Sequence, residues 1–173
     1  RFHVIPAISP DTSTPARYLQ LPAIAPLTGG TVRRLAIIEE MSRRFDDSPI
    51  AGEFGTVDAK GHYTNREWMQ PVTETPHLGA TEVWELHNFT EDAHPIHIHE
   101  ILFEVVNREQ IENGVVRDPE PWEAGARKDT VIAYPGDITR VKATYDRAGL
   151  FVWHCHIVEH EDNEMMRPYR IGS

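Results

Sequence analysis

The segment Ile138-Thr-Arg-Val-Lys-Ala-Thr-Tyr145 decides the fold class, because its polarity alternates with a period of two. Every second residue from Thr139 to Tyr145 would share one face of a strand, whereas Arg140 and Lys142 would point to the other face. Such alternation indicates a β-strand with one packed face and one solvated face. We therefore predict that this segment belongs to a half-buried sheet.

Other segments are short, rich in branched and aromatic residues, and separated by turn residues such as Pro135-Gly136-Asp137 and Asp146–Gly149. We predict further strands at Thr31–Ile38, Thr81–Phe89, Ile98–Asn107, Thr130–Tyr134 and Leu150–His154. Short strands at regular spacing favour an all-β fold, either a β-sandwich or a barrel. After the last of these strands, Glu159–Met166 is predicted to form a short helical turn.

The chain has 173 residues and a formal net charge of −10, which indicates one acidic domain or little more. This charge argues against a nucleic-acid-binding protein, which needs a basic surface to displace counterions. No apolar run of the sequence reaches a membrane-spanning length, and no charged-then-apolar signal segment opens it. A single cysteine excludes an internal disulfide framework.

The first 30 residues contain five prolines and end in Gly29-Gly30. Proline fixes φ and donates no backbone hydrogen bond, so residues 1–30 are predicted to be an extended linker or a covering strap. Residues 31–173 are predicted to form the folded domain. Because Arg1 does not look like a native start, we expect a processed or partial chain.

Six of the ten histidines fall in two clusters. The first is His94-Pro-Ile-His-Ile-His99, and the second is His154-Cys-His156 with His160 four residues further on. The other four histidines are isolated and are given no role: His3, His62, His77 and His87.

Strand geometry predicts how the clustered side chains are distributed. Residues two apart in a strand point the same way, so His97 and His99 would share a face. For the same reason His154 and His156 would share a face, and Cys155 between them would point to the opposite one. If the two strands pair, four imidazoles converge on one side of the ribbon. Imidazole donors suit copper.

On the opposite side, Cys155 would be joined by His160, Met165 and the remote His94. Two imidazoles, one thiolate and one weak thioether describe a blue-copper site. The cysteine must be deprotonated to bind, and the metal lowers its pKa enough to allow this. The sequence therefore predicts two metal centres, joined covalently through Cys155 and its neighbours.

Each of these residues has a simpler interpretation when taken alone. Cys155 could be a small buried hydrophobe, and Met165-Met166 could fill a core. The joint pattern favours metal binding, because clustering histidine in a core without a metal leaves many ring nitrogens to satisfy.

Two further patterns match known motifs. His156-Ile-Val-Glu-His160 fits the His-x-x-Glu-His pattern of some zinc peptidases, but that motif needs a helix, and the strand Leu150–Trp153 leads directly into this region. The peptidase reading also leaves Cys155 unexplained. Asn88-Phe-Thr90 is a formal glycosylation acceptor beside the metal-binding strand, and we interpret it as coincidental unless the source is a eukaryotic secretory host.

The two histidine clusters resemble the third and fourth histidine motifs of the multicopper oxidases. The third motif is similar to His94-Pro-Ile-His-Ile-His99. The fourth is similar to His154-Cys-His-Ile-Val-Glu-His-Glu-Asp-Asn-Glu-Met165-Met-Arg-Pro, in the form found in spore-coat-type laccases and bilirubin oxidases. Val72–Pro76 and Lys128–Thr130 resemble the same proteins, and the similarity covers most of residues 60–171.

The resemblance implies a cupredoxin-like Greek-key β-sandwich or barrel, with residues 31–173 as a C-terminal cupredoxin domain. One departure is Glu100, where the family often has glycine or an apolar residue. This departure indicates some difference in the surroundings of the first cluster.

The resemblance also implies a role for each clustered residue. The implied copper ligands are His94, Cys155 and His160 with axial Met165 for type 1, His97 for type 2, and His99, His154 and His156 for the type 3 pair. A reducing substrate would give single electrons through the exposed edge of His160, and Cys155 would pass them to the trinuclear cluster, where dioxygen is reduced to water. Glu161 matches an acidic residue that helps deliver protons in relatives.

The ligand count implies a partner. The family's trinuclear cluster is held by eight histidines from four motifs, and this chain supplies four of them. We therefore expect the remaining cupredoxin domains on a separate chain or in a lost part of a precursor. The expected small molecules are dioxygen and a reducing substrate, with no nucleic acid and no membrane span. The resemblance implies an extracellular, periplasmic or spore-coat location.

Two other functions are weighed against the oxidase. A stand-alone blue-copper electron carrier would need only the type 1 ligands and gives no reason for the other four histidines. A copper nitrite reductase needs a Cys-His step to a single second copper, and histidines on both sides of Cys155 argue against it. The identity of the reducing substrate is left open among phenols, bilirubin, aromatic amines and low-valent metal ions.

Overall fold

The computed structural model describes residues 2–20, 22–45 and 49–172, and these residues form two β-sheets. The predicted all-β class is confirmed. In chain order the strands are β1 (Thr31–Met41), β2 (Pro49–Val57), β3 (Tyr63–Arg66), β4 (Thr81–Asn88), β5 (His94–Ile98), β6 (Glu104–Gln110), β7 (Val116–Arg117), β8 (Thr130–Ala133), β9 (Asp137–Thr144), β10 (Gly149–Cys155) and β11 (Met166–Ile171). A single helical turn, α1 (Val158–Glu161), lies between β10 and β11.

The larger sheet has seven strands in the order β3-β2-β1-β4-β9-β6-β7. Its pairings are antiparallel except for β1 with β4, which run parallel. The segment that decided the fold class is β9, and its burial alternates residue by residue. Val141 and Ala143 are buried, whereas Arg140 and Lys142 are partly exposed, which is the predicted arrangement.

The smaller sheet has four strands in the order β11-β10-β5-β8, and it carries both histidine clusters. β10 pairs antiparallel with both β5 and β11, so the second cluster lies next to the first. The pairing that the sequence left conditional is therefore present.

Aromatic side chains from both sheets fill the space between them. Trp153 of β10 stacks on Phe54 of β2, with ring centroids 3.9 Å apart, and meets Trp84 of β4 edge-on at 5.8 Å. All three rings are fully buried. Burying such rings contributes several kcal/mol each. The packing fixes the end of β10 immediately before His154.

Two predicted elements differ from the structure. Ile98–Asn107 is not one strand. β5 of the smaller sheet ends at Ile98, and β6 of the larger sheet begins at Glu104. The chain crosses between sheets here, with Glu100 at a φ of 72°. Apolar pattern alone does not reveal such a crossing, because both halves are strand-like. The predicted turn Glu159–Met166 is also shorter than expected, since Met166 already begins β11.

The described part of residues 1–30 contains a single 3-10 turn, Ala16–Tyr18, and no strand. Three hydrogen bonds join its end to the domain: the Leu27 N–H donates to Glu104 Oε1 at 2.8 Å, Lys142 Nζ donates to the Leu27 carbonyl at 3.4 Å, and Arg127 donates to the Ala25 carbonyl at 2.9 Å. Among the described residues, no helix has the length and apolar character that crossing a bilayer requires.

Trp153→Ala should lower the free energy of unfolding of the metal-free protein by about 3–5 kcal/mol, because it empties the centre of the core. Urea denaturation measures this. Trp122→Ala is the matched control, since Trp122 is 64% exposed, and its effect should stay within about 0.5 kcal/mol. Equal losses in the two variants would contradict the packing described.

Candidate metal centres

The pairing of β10 with β5 distributes the clustered side chains between two faces. His154 lies opposite His97, and Cys155 lies opposite Ile96. Directly opposed residues in a sheet point to the same face, and neighbours along a strand point to opposite faces. Cys155 therefore faces the core with Ile96, while His154 and His97 face the other way.

The fold regroups the residues of the two histidine-rich segments into two clusters of metal donors. The first cluster consists of Cys155, His94 and His160. Cys155 Sγ is 3.8 Å from His94 Nδ1 and 3.7 Å from His160 Nδ1, and the two Nδ1 atoms are 3.3 Å apart. Two nitrogens and one sulfur bound at about 2.0–2.3 Å in one trigonal plane would lie roughly 3.5–3.7 Å from each other. The triangle thus has the size that one shared metal ion requires.

Burial favours the neutral imidazole at this cluster. The pKa of His94 is lowered to about 4, first by burial and then by the neighbouring His160. Burial also raises the pKa of the Cys155 thiol. A neutral imidazole is ready to bind a cation, whereas the thiol must lose its proton to the solvent as the metal enters.

Met165 reaches the same region through its backbone. The Cys155 N–H donates to the Met165 carbonyl at 3.0 Å, and the Met165 N–H donates to the His160 carbonyl at 3.1 Å. The Met165 side chain is fully buried, and its sulfur lies against Gly52 of β2. A Cβ added at Gly52 would come within 2.5 Å of that sulfur, so the missing side chain makes room for the thioether.

The second cluster consists of imidazoles from both strands. One ring nitrogen from each of His97, His99 and His154 lies within 4.8 Å of the others. His99 Nε2 and His154 Nε2 are 3.1 Å apart. The His156 ring is further out, with its centroid 5.8 Å from that of His97 and 5.5 Å from that of His154, and it is exposed. All four predicted imidazoles therefore lie on one face, with three of them close together.

Hydrogen bonds orient two of these rings. His97 Nδ1 lies 2.8 Å from Thr130 Oγ1, and Thr130 Oγ1 also lies 3.1 Å from an oxygen of Asp129. His154 Nδ1 lies 3.0 Å from the Cys155 carbonyl, which can only accept a proton, and 3.3 Å from a Glu161 carboxylate oxygen. Nδ1 therefore carries the proton in neutral His154, and Nε2 is left free toward His99.

Positive charge is disfavoured at the second cluster as well. The pKa of His97 and the pKa of His99 are both lowered, first by burial and then by neighbouring imidazoles. Adjacent neutral imidazoles are suited to copper, zinc or iron among common metals. Together with a largely buried His₂Cys triangle, whose cysteine is hydrogen-bonded through its backbone to Met165, the donor set fits copper best.

The structure contradicts the peptidase interpretation of His156–His160. α1 begins only at Val158, so His156 lies outside the helix. His160 belongs to the triangle with Cys155, and His156 lies on the other face near His154. The two histidines therefore do not share one ion, as the zinc motif requires.

Comparison with known proteins agrees with this donor set. A family model described as multicopper oxidase matches residues 43–173. The chain belongs to the multicopper oxidase family. These enzymes are copper-dependent oxidoreductases, so copper is the implied cofactor and the two clusters are the candidate ligand groups for it.

The chain matches one part of longer laccases. It is 41% identical to a laccase of Bacillus subtilis (strain 168) over 134 residues, which cover 68% of this chain and 26% of that protein. It is 33% identical to a laccase of Bacillus stratosphericus over 185 residues, which cover 95% of this chain and 36% of that protein. The chain thus spans about a quarter to a third of the length of these relatives.

Solved structures agree on the fold. A multicopper oxidase from Campylobacter jejuni, described as a metallo-oxidase, superposes with a TM-score of 0.70 at 24% identity, covering 90% of this chain and 34% of that one. This likeness concerns the fold alone. It confirms the cupredoxin-like architecture that the sequence motifs implied.

Sequence reasoning missed three residues that contact the clusters. Gly52 gives no signal, because it is 113 positions from the sulfur it accommodates and one glycine among 11. Thr130 lay in a predicted strand without a predicted role. Thr90 was visible only as part of the glycosylation pattern, yet it lies 2.8 Å from His94 Nε2.

Gly52→Ala should destabilise the metal-free protein by about 1–3 kcal/mol, because the new methyl overlaps the buried Met165 sulfur. In a Met165→Ala background the methyl enters vacated space, so the same substitution should cost less. Urea denaturation of the four proteins of this cycle measures the coupling. Strictly additive losses would contradict a direct contact.

Proposed function

We propose that this chain is the C-terminal copper domain of a laccase- or bilirubin-oxidase-type enzyme. Such an enzyme takes single electrons from a small reducing substrate and reduces dioxygen to water. The observation that carries the proposal is the division of donors around β10: Cys155 on one face with His94 and His160, and four imidazoles on the other. One covalent step along the backbone separates the two groups.

The first cluster would hold type 1 copper. His94, Cys155 and His160 would supply two imidazoles and a thiolate, and Met165, buried beside Gly52, would supply a weak thioether ligand. His160 is partly exposed, so a reducing substrate would meet the edge of its ring. When bound, copper would supply one-electron chemistry at this cluster and dioxygen reduction at the other.

The second cluster would supply half of the ligands of a trinuclear site. His97 would bind the type 2 copper, and His99, His154 and His156 would bind the type 3 pair. His99 and His156 are exposed in this chain. Exposed imidazoles on one face are suited to share metal ions with imidazoles from elsewhere. We therefore propose cupredoxin domains, on a separate chain or in a lost part of the precursor, as the partner.

Glu161 would help deliver protons to the second cluster. Its carboxylate lies 3.3 Å from His154 Nδ1 and its side chain is 29% exposed. It therefore reaches from solvent to a proposed copper ligand. A carboxylate in this position can relay protons, and reducing dioxygen to water consumes protons.

The proposed location is extracellular, periplasmic or spore-coat, and its support is the similarity to spore-coat-type laccases. The reducing substrate is a small molecule such as a phenol, a bilin, an aromatic amine or a low-valent metal ion. Steady-state assays across a phenol, a bilin and a metal ion would identify the class.

The copper content of the native, copper-loaded protein tests the proposed function. We expect a blue thiolate-to-copper band, the near-ultraviolet band of a coupled copper pair, and oxygen uptake with a phenol. Gel filtration and mass spectrometry should show the chain together with the domains that bear the missing histidines. Cys155→Ser should abolish the blue band and reduce oxygen uptake about 1000-fold or more, since catalytic units of this kind fail as a whole.

His62→Gln is the matched control, because His62 is exposed and belongs to neither cluster. It should leave both bands and the oxygen uptake unchanged. A strong blue band with one copper per chain and no oxygen uptake would instead indicate an electron carrier. A lone monomer with full oxidase turnover would contradict the proposed partner.

Glu161→Gln should slow oxygen uptake about 100-fold at neutral pH, because the amide cannot relay a proton. The blue band and the copper content should not change, since the amide still fits beside His154. Stopped-flow kinetics with excess reductant separates the oxygen step from type 1 reduction. Glu159→Gln, an exposed carboxylate on the same turn, is the control. Unchanged oxygen kinetics in Glu161→Gln would exclude the role.

A further inference from the structure

Two residues of the glycosylation pattern Asn88-Phe89-Thr90, Asn88 and Thr90, lie inside the protein next to a residue of the first cluster. Asn88 is fully buried, Thr90 is 6% exposed, and His94 is fully buried. Thr90 Oγ1 lies 2.8 Å from His94 Nε2, on the side of the ring opposite to Cys155. His94 presents its other nitrogen, Nδ1, to the triangle. The hydroxyl is therefore placed to decide which ring nitrogen carries the proton.

The partners around Thr90 use the full capacity of its hydroxyl. A hydroxyl donates once and accepts twice. Its oxygen accepts from the Asp92 N–H at 3.2 Å, and it lies 2.8 Å from Asn88 Oδ1, 3.1 Å from the Asp92 carbonyl oxygen and 2.8 Å from His94 Nε2. Because the amide oxygen of Asn88 and the Asp92 carbonyl oxygen only accept, the hydroxyl proton is directed to them. Thr90 then accepts from an N–H at His94 Nε2, which leaves Nδ1 unprotonated.

The orientation of the Asn88 amide is fixed independently. Its nitrogen donates to the Asp92 carbonyl at 2.8 Å and to the Ala133 carbonyl at 3.1 Å, so its oxygen must face Thr90. Asn88 ends β4 in the larger sheet, whereas Ala133 of β8 pairs with His94 in the smaller sheet. The amide thus joins the two sheets at the level of His94. With both amide hydrogens donated inside the core, Asn88 is not available to a glycosylating enzyme in the folded protein.

We propose that Asn88 and Thr90 are positioning residues for the type 1 centre, which fix His94 as the Nε2–H tautomer with its Nδ1 lone pair directed at the metal. This inference rests on the proposed function for the identity of the metal. The tautomer itself is a property of the metal-free protein. Outer hydrogen bonds of this kind orient ligating histidines and raise their basicity.

The tautomer of His94 in the metal-free wild-type chain is the first test, and it needs no variant. Two-bond ¹⁵N–¹H correlation spectra of the protein labelled at histidine, recorded above pH 7, distinguish the two neutral tautomers. We expect His94 to be the Nε2–H form. The Nδ1–H form would overturn the proposal, whether or not the protein is an oxidase.

Thr90→Val tests the hydroxyl at nearly constant shape. We expect the Nε2–H preference to be lost, copper affinity at the blue site to fall about 10- to 100-fold, and the blue band to shift. Competition with a chelator measures the affinity in the copper-loaded protein. Thr90→Ser keeps the hydroxyl and should restore both the tautomer and the affinity to within a few-fold of wild type.

Thr130→Val is the matched control at the other cluster, since Thr130 makes the equivalent contact with His97. It should leave the blue band and the tautomer of His94 unchanged. An unaltered tautomer and an unaltered copper affinity in Thr90→Val would overturn the proposal. The absence of a blue band in the copper-loaded wild-type protein would contradict the proposed function. The tautomer measurement would still decide whether Thr90 orients His94.

Discussion

The arrangement of the candidate site depends on the pairing of β10 with β5 in one register. With His154 opposite His97 and Cys155 opposite Ile96, every metal donor on these strands is assigned to a face. A shift of one residue would turn Cys155 toward the imidazoles and place the histidines in the core. The stacked Trp153 and Phe54 rings oppose such a shift, because Trp153 would leave a fully buried position.

The register assigns each imidazole to a face, and hydrogen bonds then fix the orientation of two of the rings. Buried imidazoles with two possible tautomers would present the wrong nitrogen for part of the time. In this structure the Cys155 carbonyl orients His154, and the Thr90 hydroxyl orients His94. The two centres thus share one strand for their placement and use separate local groups for their orientation. Lowered pKa values at His94 and His97 keep the rings neutral and ready for a cation.

Much of this could be predicted from the sequence, because strand periodicity acts locally. The alternation in β9 and the parity of His154, Cys155 and His156 need only neighbouring residues to be interpreted. Contacts between distant segments carry no such signal. The crossing after Ile98, the room that Gly52 leaves for Met165, and the amide of Asn88 all depend on where the two sheets meet. In the sequence, Asn88–Thr90 is interpretable only as a coincidental glycosylation pattern, whereas the burial of Asn88 and Thr90 gives these two residues a role beside His94.

The central claim is that two copper centres lie on opposite faces of β10, one at Cys155 and one at its neighbouring histidines. Crystals of the copper-loaded protein test this most directly. An anomalous difference map at the copper absorption edge should show one peak within bonding distance of Cys155 Sγ, His94 Nδ1 and His160 Nδ1. It should show further peaks on the opposite face, against His97 and His154. Copper on one face only, or no copper beside the Cys155 sulfur, would contradict the account.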